Sequence, residues 1–178
     1  MSCALVGGCD VKTHELAFAS LQQHGLFSSW RSTGKGVVPG EGAAFLVLET
    51  EADALKRGAR IHAGFGAFNL RPHCDLDAMA NTRGAVLNRL GIREAGTLVS
   101  SANGDEGNDE QEAAVLQVSG VSVATRICPK KQVGDLFAAA ATLQIALGAM
   151  LTAAGAATVL ANCFGHGSTQ AAFVLEKA

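Results

Sequence analysis

Between Leu136 and Leu175 the chain carries no Asp, Glu, Lys or Arg, and the stretch from Leu136 to Leu151 is apolar on every helical face. A surface helix keeps a polar stripe, so a helix without one must be covered all round. A bilayer span needs about 20 strongly apolar residues. Here much of the apolar content is Ala, Gln144 stands at the centre, and Gly148 and Gly155 interrupt the later part of the run. Ala157 to Asn162 then reads as a strand, so no water-facing terminus closes the segment. The composition therefore predicts no membrane span but a helix sandwiched between two sheets, its Ala and Gly letting strands approach closely. Residues 1–50 supply only a pair of strands for one of those sheets, so part of the cover is expected from atoms outside this chain.

Composition narrows the function classes. Hydrophobic residues make up 48% of the 178 positions and charged ones only 17%, which fits a surface that is partly covered. A net charge of −2 leaves no basic field for nucleic acid. Lys56, Arg57 and Arg60 follow Glu49, Glu51 and Asp53 on what reads as one helix, so i,i+4 pairing on a solvated face accounts for them. Met1 is followed at once by a strand-like segment without a basic region, hence no signal peptide and a cytoplasmic location are expected. Cys3, Cys9, Cys74, Cys128 and Cys163 are odd in number and lack a C-x-x-C, arguing against a disulfide framework or zinc knuckle and for buried free thiols. The five histidines show no ligand spacing, and neither Gly64-Phe-Gly66 nor Gly34-Lys-Gly36 opens a helix on a phosphate. No metal or cofactor is expected.

Periodicity and turn signals predict strands and helices in alternation: a strand from Cys3, a helix over 13–24, a loop over 28–38 and a strand over 42–49. A charged helix over 50–58, a strand over 59–68, a helix over 75–90 and a strand over 97–101 come next. A helix over 109–118, a strand over 121–127, the apolar helix, and strands over 157–162 and 170–176 complete the order. This alternation specifies a layered α/β architecture.

Four segments carry more than secondary structure. Gly36-Val-Val-Pro-Gly-Glu-Gly-Ala-Ala-Phe-Leu-Val-Leu-Glu49 is a Pro-Gly turn entering an apolar strand, and Asn103-Gly-Asp-Glu-Gly-Asn-Asp109 with Glu112 is a polar loop entering a helix. Lys130-Lys-Gln-Val-Gly134-Asp135 precedes the apolar helix, and Asn162-Cys-Phe-Gly165-His166-Gly167 is a glycine-rich turn between strands. In this order and spacing the chain resembles the β-ketoacyl synthases of the thiolase-like superfamily, which commonly read G-x-x-x-G-E-G-A, H-G-T-G-T, K-x-x-x-G-H and N-x-F-G-F-G-G-T-N at these places. The resemblance implies mixed sheets around buried helices. It implies two halves, residues 1–58 as the last part of the N-terminal half and 59–178 as the whole C-terminal half.

The same resemblance implies an acyl-transfer site built from a cysteine nucleophile and two histidines that stabilise the enolate and the thioester oxyanion. Its nucleophile lies in the first half, before the segment that Ala4 to Asp10 resembles, and neither Cys3 nor Cys9 can stand in for it. The histidine positions fall on Asn103, in a loop shorter by about two residues, and on Asp135; Lys130 matches the motif lysine. Asp135 would repel developing negative charge but is suited to cap the helix after it. Cys163, Phe164, Gly165, His166 and Gly167 match the loop that gates the acyl pocket. No feature lowers the Cys163 pKa, so a pocket-lining role is expected over a Cys163–His166 dyad.

Loss of both histidines implies a non-condensing, chain-length-factor-like subunit of fatty acid, polyketide or aryl-polyene biosynthesis. Its partners would be a β-ketoacyl synthase subunit, or the missing N-terminal half, and an acyl carrier protein. Two alternatives stay open. One is a 3-oxoacyl-carrier-protein synthase-type acyltransferase completed by another chain, with Asn103, Lys130 and His166 as donors; the other is a structural remnant without a site.

Overall fold

The computed structural model of the chain describes residues 3–25, 36–72, 79–165 and 169–178. Strand β1 (Cys3–Val11) pairs antiparallel with β2 (Glu41–Glu49), Val6 opposite Leu46, as a separate two-stranded sheet. Helix α1 (Glu15–Gln23) lies between them in sequence, with the His14 ring accepting the Ala17 N–H. Helix α2 (Glu51–Lys56) succeeds β2 under a Thr50 cap.

The second sheet holds five strands in the order β3, β7, β6, β4, β5. Strands β3 (Gly64–Arg71), β7 (Gln170–Glu176) and β6 (Thr158–Phe164) are antiparallel neighbours, whereas β6, β4 (Glu94–Val99) and β5 (Ser122–Ile127) run parallel. Helices α3 (Met79–Asn88) and α4 (Glu106–Ser119) are the crossovers on one face. The short α5 (Lys130–Val133), a 3-10 turn (Phe137–Ala139) and α6 (Ala140–Ala153) come after β5.

Strand alternation divides the core into two layers. Leu98, Leu160 and Val174 point one way and pack with Val86, Leu87 and Val115 of α3 and α4. Val99, Val159, Ala161 and Leu175 point the other way and pack with Ile145 of α6, while Leu46 of β2 closes on the same cluster from above. The apolar helix is therefore flanked by both sheets but not covered all round: Ala140, Gln144, Ile145, Gly148 and Thr152 are buried, while Met150 is 64% exposed. Gly8 allows the upper sheet to settle, because a Cβ there would run into the Ala138 carbonyl. Among the described residues no helix is long and apolar enough to cross a membrane.

Several expectations need correction. Strand β3 begins at Gly64 rather than 59, since its partner β7 pairs Glu176 with Gly64 and offers no ladder beyond. Strand β4 spans Glu94–Val99 rather than 97–101, because its ladder with β5 starts at Glu94 and Ser122. Helix α4 starts at Glu106 rather than 109, under an Asp105 cap that accepts the Asn108 N–H at 2.9 Å. The apolar run is broken by the 3-10 turn before α6 begins. Glu49 is the last residue of β2 and not part of a helix; Arg57 reaches back to it across the turn, Nε to Oε2 at 3.0 Å. Of the thiols among the described residues only Cys163 is buried and Cys128 is half-buried; Cys3 and Cys9 are exposed, because the outer face of the β1–β2 sheet is bare, and Cys74 lies outside the described residues.

Burial sets unequal costs across the two sheets. Leu98→Ala should destabilise the chain by about 2–5 kcal/mol, as large-to-small core changes do, while Val47→Ser on the bare face should stay within about 0.5 kcal/mol. Urea unfolding monitored by circular dichroism checks both.

Candidate functional site

Ligand sites in open α/β sheets lie beyond the carboxyl ends of parallel strands, where backbone groups leave the ladder. Here the ends of β4, β6 and β5 converge, carrying residues 100–103, 163–165 and 128–135. Two buried polar residues hold them in place. Gln144 of α6, 1% exposed, donates from Nε2 to the carbonyls of Ser100 and Asn162, both at 2.9 Å. Glu112 of α4, fully buried, works from the opposite face of the sheet: Oε1 accepts the Ser101 N–H at 2.8 Å and Asn162 Nδ2 at 2.9 Å. Its Oε2 takes the Ser100 hydroxyl and the Arg126 guanidinium, and Gln170 Nε2 completes the cluster by donating to Asn162 Oδ1 at 2.8 Å. A buried carboxylate with this many donors is stable only as a complete set.

Asp135 sits at the next level out and is 1% exposed. Its backbone is clamped by the Pro-Gly segment before β2: its N–H donates to Val38 O at 2.8 Å, and its carbonyl accepts the Gly40 N–H at 2.9 Å. That approach leaves no room at Gly134, whose φ of 84° and contact with Gly40 exclude a side chain. The carboxylate is equally committed. Oδ2 accepts Asn103 Nδ2 at 3.0 Å and pairs with Lys130 Nζ at 3.3 Å, while Oδ1 accepts the Phe137 N–H at 3.0 Å. Lys130 and Asn103 are themselves buried. Asp135 thus ties down the first residue of the 3-10 turn but does not cap α6, whose N-cap is Ala139 without a side-chain bond; the next N–H, of Ala138, goes to Asp10 Oδ2 at 3.2 Å. Desolvation opposes ionisation of Asp10, but the Ala138 N–H and the Lys12 ammonium hold its carboxyl below the usual range.

A cleft of about 730 Å3 opens beside this cluster, lined among others by Asn103, Gly104, Glu106, Lys130 and the ion-paired Asp109 and Lys131. Asp109 Oδ1 accepts the Asn103 N–H at 3.0 Å, which shapes the loop that carries Asn103. The segment from Cys163 to Gly165 leaves β6 with its Phe164 N–H donating to Ser101 Oγ at 2.9 Å. The Phe164 ring lies 4.0 Å beneath the Arg83 guanidinium. Cys163 points the other way, under α6, with Sγ 4.0 Å from the Ala141 carbonyl. Burial pushes its thiol up to about 12. Gly165 is exposed; His166 and Gly167 lie outside the described residues. Among the described residues no three His, Cys, Asp or Glu side chains converge on a metal-sized site.

The fold is shared with known proteins. The ishigamide ketosynthase/chain length factor superposes at a TM-score of 0.81 with 22% identity over 99% of this chain and 54% of that one. The chain has a thiolase-like β-ketoacyl synthase fold. A β-ketoacyl synthase from Burkholderia phymatum matches at 0.78 with 19% identity, over 99% of this chain and 55% of its own. The AntDE:AntF assembly, a type II polyketide acyl-carrier protein in complex with its ketosynthase, matches at 0.80 with 16% identity, over 99% and 56%. The profile of the β-ketoacyl synthase N-terminal domain matches residues 1–54. No curated protein sequence is significantly similar. The chain therefore spans about half the length of these synthase structures.

In this synthase-like fold Asn103 and Lys130 both meet Asp135 Oδ2, so the three predicted residues form one cluster. Glu112, noted in the sequence only as part of a polar loop, is its buried support. Its place on the same helical stripe as Val115 and Ser119 is the available signal. Arg83 and Gln144 have no comparable chemical signature.

Two outcomes check the cluster. Lys130→Met strands the Asp135 charge and should cost about 3–5 kcal/mol, whereas Lys130→Met with Asp135→Leu should recover only part of it, because the Asn103 amide and the Phe137 N–H lose their acceptor; denaturant titration of the three proteins measures this. Iodoacetamide at pH 8 should modify Cys3 and Cys9 in the folded chain and leave Cys163 untouched by peptide mass spectrometry. Because the folded Cys163 pKa exceeds its unfolded value, the stabilisation it gives is complete below about pH 9 and is lost as pH rises toward 12.

Proposed function

We propose that the chain is a non-condensing β-ketoacyl synthase-like subunit of the chain length factor type, acting in fatty acid or polyketide biosynthesis, aryl-polyene assembly included. In this reading residues 1–58 form the end of an N-terminal half and 59–178 the C-terminal half. The subunit shapes the acyl pocket of a partner synthase that receives its substrate on an acyl carrier protein.

The commitment of Asp135 carries the proposal. Condensation needs donors free to meet an enolate and a thioester oxyanion. A buried carboxylate, which offers no donor, falls where the resemblance puts one of the two histidines, and it takes an amide N–H of Asn103, where the resemblance puts the other. Cys163, held protonated by burial, is no substitute nucleophile. The open cleft beside Asn103 and Lys130 is at odds with a pocketless remnant. It leaves an acyltransferase completed by another chain as the competing reading.

Incubation with acyl- and malonyl-carrier protein should give no acyl adduct by intact mass, and addition to a partner synthase should change the product chain length. Condensation restored by mixing the chain with a nucleophile-bearing N-terminal half would sink the proposal.

A further inference from the structure

Arg83 of α3 is only 4% exposed, beside the apolar layer of Leu98, Leu160 and Val174 against which Phe164 packs. Burying an arginine in such a place is costly unless specific contacts offset it. Its Nη1 donates to Gln111 Oε1 of α4 at 2.9 Å. The guanidinium carbon stands 4.0 Å from the centre of the Phe164 ring, well inside the ~6 Å over which a cation is drawn to an aromatic face. Phe164 sits where such a contact has consequences. The β4–β6 ladder ends at Val99 and Ala161, short of it, so on the β4 side its backbone is held through the Ser101 hydroxyl, which accepts its N–H at 2.9 Å. Ser101 in turn donates its own N–H to Glu112 at 2.8 Å and opens the loop that carries Asn103.

We propose that Arg83 is a positioning residue: its guanidinium pins the Phe164 ring, and the Phe164 N–H then holds Ser101 and the start of the Asn103 loop. A desolvated cation–ring pair shifts a local equilibrium by roughly 30-fold, against about 2- to 5-fold for an exposed one, and this pair is buried on its cationic side. Methionine would fill much of the same space but lacks the charge that the negative ring face attracts. Lysine keeps the charge and loses the planar group that faces the ring while one of its nitrogens reaches Gln111. A residue that only tied α3 to α4 through Gln111 would not respond to the electrons of the ring. The hold on Phe164 rests on this geometry alone; any effect on the acyl product rests on the subunit reading above.

Phenylalanine carrying one, two or three ring fluorines, placed at position 164 of the full chain, weakens the negative face stepwise at nearly constant shape. Hydrogen exchange of the residue 164 amide, followed by NMR, should quicken with each fluorine, reaching about tenfold for the trifluoro ring. Arg83→Met should raise it by about 10- to 30-fold and abolish the dependence on fluorine, Arg83→Lys should keep part of that dependence, and Gln111→Leu should keep it whole. Exchange indifferent to fluorine with Arg83 in place, or raised as much by Gln111→Leu as by Arg83→Met, would overturn the proposal. The fluorine series leaves Arg83 untouched, so it decides the matter even where Arg83→Met fails to fold. With a partner synthase, Arg83→Met should broaden the range of product chain lengths. A wild-type chain that has no effect on product length would refute the subunit reading and leave the exchange result standing.

Discussion

Val159 and Leu175 from below and Leu46 from above close on one helix, α6, which has no polar side to give to water. Every other layer answers to that requirement. The five-stranded sheet supplies one cover and directs its opposite face to α3 and α4; the β1–β2 sheet supplies a second cover and is itself left bare outside. Gly8 and Gly148 are where backbone and side chains come closest to this arrangement, at the Ala138 carbonyl and at Leu175.

The same helix organises the polar end of the molecule. Its buried Gln144 faces the strand ends and meets Glu112 across the sheet through Ser100 and Asn162. Strands β4 and β6 are thereby fixed where their ladder ends, next to Asn103 and the Cys163 to Gly165 segment. Asp135 joins this frame to the entry of α6 and to the Pro-Gly turn of β2. The cluster has the chemistry of a structural joint: a carboxylate saturated by an amide, an ammonium and a backbone N–H.

Much of this is legible in the chain. The charge-free run announces an interior helix, and three of the four glycine-containing segments mark the turns that meet at Asp135. Element edges are less legible because they depend on partners: β3 starts where β7 gives it a ladder, and Glu49 pairs with Arg57 across a strand-to-helix turn rather than along a helix. The exposure of Cys3 and Cys9 is hidden from the sequence, because an apolar strand carries no record of which face goes uncovered.

Residue order alone determined the layered α/β plan and the apolar character of α6, since these derive from hydropathy and periodicity. Only tertiary structure decided that Asn103, Lys130 and Asp135 share one buried carboxylate and that Glu112 and Gln144 clamp the sheet from both faces. Those features rest on distances between segments far apart in the chain, and local pattern does not encode them.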